Sequence, residues 1–117
     1  MKNNQYSQSK ILLISFSIVL LMTGCGSIQI GRDFDVKAFE SMAKVDETTN
    51  EQVRKVLGEP KSSGISINGN GERLVEWVYF YGAGQVSKMD EASLKILQVR
   101  FDKNGKLRSY SWSNSDK

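Results

Sequence analysis

The chain contains no histidine, a single cysteine (Cys25) and a single proline (Pro60). Without histidine it lacks the side chain most often used as a general base near neutral pH and as a nitrogen ligand for metals. One thiol cannot form an intramolecular disulfide, so no covalent staple holds the fold. Long apolar runs are missing too. The run from Ile11 to Met22 is interrupted by Ser15 and Ser17, and it falls short of the roughly 18 apolar residues that a membrane-crossing helix needs. Nor is there an excess of one charge. Of the 16 lysines and arginines, Lys2 and Lys10 precede or open the apolar run, which leaves near balance against 13 acidic residues. That balance, without clustering, excludes the basic footprint of a nucleic-acid binder.

The N-terminal residues have a definite order. A basic start, an apolar centre and a small-residue exit are the three parts of an export signal. The exit reads Leu21-Met22-Thr23-Gly24-Cys25, which resembles the lipobox of bacterial lipoproteins. The resemblance implies that residues 1–24 are removed by a cut between Gly24 and Cys25, and that the Cys25 thiol and the new amino terminus are acylated. Two acyl chains suffice for stable anchoring on a bilayer. Gly26, rather than Asp, follows the cysteine, which in that family favours the outer membrane. Ordinary signal cleavage after Gly26, and an uncleaved span, are the competing readings.

Behind the signal, residues 25–34 read as the lipidated N-terminus and a flexible tether, because Gly26, Ser27 and Gly31 are small and no strong period is present. Residues 35–117 read as one α+β domain. Val36, Phe39 and Met42 or Ala43 recur at helical spacing after a capping Asp33 or Asp35. A second helix is expected near Asn50 to Leu57, opened by a capping box at Thr48 or Thr49 and closed by Gly58 and Pro60. The period then changes to two. Ile65 and Ile67 mark a short strand, Leu74–Tyr81 a second, Leu94–Asp102 a third and Leu107–Trp112 a last. Gly82–Ser93 reads as a long polar hairpin loop. Asn104-Gly105 suggests a type I′ turn, with both residues at positive φ. The expected architecture is two short helices packed on an antiparallel sheet of three or four strands.

Three motifs in this order carry a resemblance: Thr49-x-x-x-Val53-x-x-x-Leu57-Gly58-x-Pro60, Trp77-x-Tyr79, and Leu97-x-Val99-x-Phe101-Asp102-x-x-Gly105-Lys106. Together they are similar to the SmpA/OmlA (BamE-like) family of outer-membrane lipoproteins. The resemblance implies an α-α-β-β-β domain facing the periplasm. It also implies a protein-binding role, with an accessory part in outer-membrane β-barrel assembly as its specific form. Related modules act as inhibitors, and the 82–93 loop would then serve as a wedge against an envelope partner.

No catalytic, cofactor or metal site emerges. Asp90-Glu91 reads as a solvated pair. Asp102-x-Asn104 lacks the later acid of a calcium loop, and Gly82-x-Gly84 lacks the third glycine and the following helix of a dinucleotide site. The expectation is a non-enzyme without cofactor. Trp77, Tyr79, Tyr110 and Trp112 read as cover for the core. Any face they leave exposed would be a protein-binding surface, because Trp and Tyr combine large area with a polar handle. The partner-contact candidates are Trp77 and Tyr79, and, beside the loop, Tyr81, Gln85 and Met89.

Overall fold

The computed structural model describes residues 26–115. The leader 1–24, the Gly24–Cys25 cut and the acylation of Cys25 lie outside the described residues. The elements run β1 (Ser27–Ile30), α1 (Val36–Met42), α2 (Asn50–Leu57), β2 (Ser62–Ile67), β3 (Arg73–Gln85), β4 (Lys88–Phe101) and β5 (Leu107–Asn114).

Local chemistry sets both helices. Asp35 caps α1 by accepting the Ala38 N–H at 3.0 Å. Thr49 caps α2, and its capping box is complete: Thr49 Oγ1 accepts from the Gln52 N–H at 3.2 Å, and Gln52 Oε1 accepts from the Thr49 N–H at 3.0 Å. The Gly58 N–H closes α2 on the Arg54 carbonyl at 2.8 Å.

All strand pairs are antiparallel. The main path is β1-β3-β4-β5, and β2 also pairs with β3. One edge of β3 is therefore shared. Gly82–Gln85 pair with β1, whereas Arg73–Val78 pair with β2. The expectation of three or four strands is corrected to five. The added strand is Ser27–Ile30, within the stretch read as a tether. Its composition resembles a linker, but Ile28 and Ile30 alternate with polar residues and find an open edge to pair with.

The second correction concerns Gly82–Ser93. It is not a loop but the far half of a long β3–β4 ribbon, turned by Val86 and Ser87 alone. Glycine and acidic residues depress strand propensity there; backbone pairing on both edges of β3 overrides it.

The Asp102–Lys106 turn differs as well. Gly105 has φ 76°, but Asn104 is not at positive φ. The Asp102 carboxylate instead accepts the N–H groups of Asn104 (2.8 Å) and Lys106 (3.0 Å). That fixes a turn in which Gly105 alone is left-handed, and the β4–β5 register shifts between Arg100 and Phe101. Asn68 performs the same task in the β2–β3 turn, accepting from Asn70 and Glu72.

The core lies between the two helices and one sheet face. Phe39, Val53, Leu97, Val99 and Leu107 are fully buried, with Phe34, Leu57, Trp77, Tyr79 and Phe101 nearly so. Phe39 meets Tyr110 edge-on at 4.9 Å, and Trp77 meets Phe101 at 4.8 Å. These ring pairs lock α1 and β3 to the C-terminal strands.

Candidate functional site

The expected contact residues separate into two groups. Trp77 and Tyr79 lie in the core, 5% and 3% exposed, and offer no surface to a partner. Alternation places them on the helix-covered face, where Arg54 stacks on the Trp77 ring at 4.8 Å and the Tyr79 hydroxyl donates to the Gly58 carbonyl at 2.9 Å. Burial pushes the Tyr79 hydroxyl up to about 12, with the Arg54 charge opposing and Glu59 adding to the rise. Tyr81 is half-buried and packs against the core. The Lys95 ammonium lies 5.8 Å from its ring, donates to Asp33 at 2.8 Å and to the Phe34 carbonyl at 2.9 Å, and holds the Asp33 carboxyl below its ordinary value. Gln85 and Met89 are exposed near the ribbon tip. Tyr110 is partly buried against Phe39. Trp112 is 47% exposed and donates its indole N–H to Glu40 at 2.7 Å.

Two surfaces remain open. The first is the sheet face opposite the helices, along the β1–β3–β4 ribbon. Strand register puts Ile28, Ile30, Phe80, Leu94 and Ile96 on this face. Ile28, Ile30 and Leu94 are 43%, 52% and 46% exposed. Glycines form its floor. A Cβ on Gly82 would stand 3.1 Å from Leu94, and one on Gly84 would stand 3.0 Å from the Ala92 Cβ, with the Met89 sulfur next at 3.6 Å. Leu94 and Ala92 therefore take up the space that side chains at these two positions would need.

The second surface is the outer edge of β2. Among the described residues, no strand pairs with that edge. Its residues Ser62-Ser63-Gly64-Ile65-Ser66-Ile67 carry no charge and no proline, and Ile65 and Ile67 are 50% and 60% exposed. Natural sheets usually guard an edge with a charge, a proline or a bulge, because unpaired backbone groups template pairing with another chain. β2 has the open edge without the charge or the proline. Its strand character is legible in the Ile65-x-Ile67 alternation; its exposed edge is not, since that depends on which strands flank β3.

Among the described residues, no three His, Cys, Asp or Glu side chains come together as a metal site. Ion pairs such as Arg100–Glu76 at 2.7 Å and Arg108–Asp46 at 2.9 Å hold some of the charged groups. Both open surfaces present backbone and apolar area. No protein-family model matches the chain, and neither a curated protein nor a solved structure does.

Proposed function

We propose that this chain is a lipid-anchored module of the bacterial envelope, held in the outer membrane by Cys25 and facing the periplasm, that binds a protein partner by strand addition along β2. The observation that carries the binding mode is the uncharged, unpaired outer edge of Ser62–Ile67 with its two half-exposed isoleucines. In strand addition the backbone supplies hydrogen bonds and alternate side chains supply specificity; Ile65 and Ile67, two residues apart on one face, fit that use. The envelope location is supported by the basic–apolar–small order that ends at Cys25. The motif order similar to the SmpA/OmlA family supports an accessory role in outer-membrane barrel assembly as the specific form of this function.

The test is photo-cross-linking in intact cells from Ser66, with exposed Ser113 on β5, the opposite edge of the sheet, as the control. We expect Ser66 to capture one envelope protein, and Ile65→Lys/Ile67→Lys to reduce that capture about tenfold or more, because a charged edge disfavours pairing. Equal capture from Ser66 and Ser113, or capture unchanged by the two lysines, would remove the strand-addition reading.

A further inference from the structure

The point at which the N-terminus enters the fold fixes one end of the molecule. β1 pairs with β3 residue by residue, Ser27 opposite Gln85, Ile28 opposite Gly84, Gln29 opposite Ala83 and Ile30 opposite Gly82. The pairing continues past the strand: the Val86 N–H donates to the Gly26 carbonyl at 3.1 Å. Val86 and Ser87 are the turn of the β3–β4 ribbon. Gly26 is thus fastened to the ribbon tip, and Cys25 is the next residue, about 3.8 Å away along the backbone.

We propose that the β3–β4 ribbon tip rests on the lipid surface itself, docked rather than suspended, with Val86 and Met89 against the headgroup and acyl boundary. This inference rests on the reading of Cys25 as the acylated anchor. No slack separates that anchor from the tip. The residues around it are suited to the boundary: Val86 and Met89 are 49% and 53% exposed, and Ile28 opposite Gly84 is 43% exposed. Amphipathic segments bury an apolar face about 5–10 Å into this boundary. The charges nearby are Lys88, Asp90 and Glu91. With two acids to one base, attraction to anionic lipid does not drive the contact; apolar burial does. The sheet then stands away from the membrane, since β4 alone spans 14 residues, roughly 46 Å when extended. The β2 edge, paired to the distal half of β3, faces the aqueous space.

The acylated mature protein provides its own test, because Cys25 is the only native cysteine and acylation blocks it. Ser87→Cys and, separately, Lys103→Cys give unique thiols for an environment-sensitive fluorophore in phosphatidylcholine vesicles containing brominated acyl chains. We expect quenching at position 87 to exceed that at position 103 by about threefold or more, as for a segment within the headgroup boundary. Quenching should be insensitive to added anionic lipid, and Val86→Asp/Met89→Asp should bring it to the level of position 103. Equal quenching at the two positions, with acyl chains confirmed on Cys25 by mass spectrometry, would overturn the docked tip and leave the anchor standing. A mature chain without acyl groups would overturn both.

Discussion

The Tyr79 hydroxyl donates to the Gly58 carbonyl at 2.9 Å, joining the centre of the sheet to the end of α2. The two residues are 21 apart in sequence, and their bond sets how the helix layer seats on β3. Removing the hydroxyl leaves a carbonyl at a helix terminus without this partner. Tyr79→Phe should cost about 1 kcal/mol, read as a lowered urea midpoint at unchanged slope.

The same group makes stability depend on alkali. Tyr79 in the fold loses its proton near 12 instead of 10, so its contribution is complete below pH 10. It fades as pH rises from 10 to 12, where the unfolded chain releases the proton first. Stability curves across that window should fall less steeply for Tyr79→Phe than for the native chain.

Thr49 holds the start of α2 through two reciprocal hydrogen bonds with Gln52. Thr49→Ala should destabilise the domain by about 1 kcal/mol, and Thr49→Ser should restore most of it. Thermal denaturation of the three chains provides the comparison.

Gly31 ends β1 at φ 77°, and a Cβ there would collide with the Phe80 carbonyl oxygen. Gly31→Ala adds both backbone strain and this overlap, together about 1–3 kcal/mol. Because β1 contributes no buried residue, the loss should fall on β1 alone. Amide exchange at Gly82–Gln85 should accelerate while the core amides of β4 stay protected.

Phe39 is fully buried from a helix of 7 residues and packs edge-on to Tyr110. Phe39→Ala should cost about 3–5 kcal/mol, enough to unfold much of a domain this small at 37 °C. Loss of the near-ultraviolet aromatic dichroism at that temperature is the expected sign.

Much of this architecture could be read from residues alone, and the misreadings share a cause. α2 falls where Thr49, Gly58 and Pro60 place it because its start and stop are written in adjacent side chains. The same holds for alternation in Leu74–Tyr81, which puts Trp77 and Tyr79 on one face with Val75 and Tyr81. What sequence reading missed is pairing between distant segments of weak propensity. Ser27–Ile30 looks like a tether and Gly82–Ser93 like a loop until the two are set side by side; each then supplies the partner the other lacks. The candidate surfaces follow the same division. The isoleucines of β2 are visible in the sequence, but their exposure depends on where β1 stops along the shared edge of β3. Trp77 and Tyr79, chosen for their area, are instead covered by the helices.

β1 also has a mechanical consequence. Any pull on the chain ahead of Gly26 enters the domain through four backbone pairings and the Gly26–Val86 bond, before it reaches a buried side chain. β1 lies outside the packed aromatic interior, with none of its four residues buried. The join between the N-terminal end and the body of the protein therefore rests on backbone pairing, and a side-chain change in the core leaves it untouched.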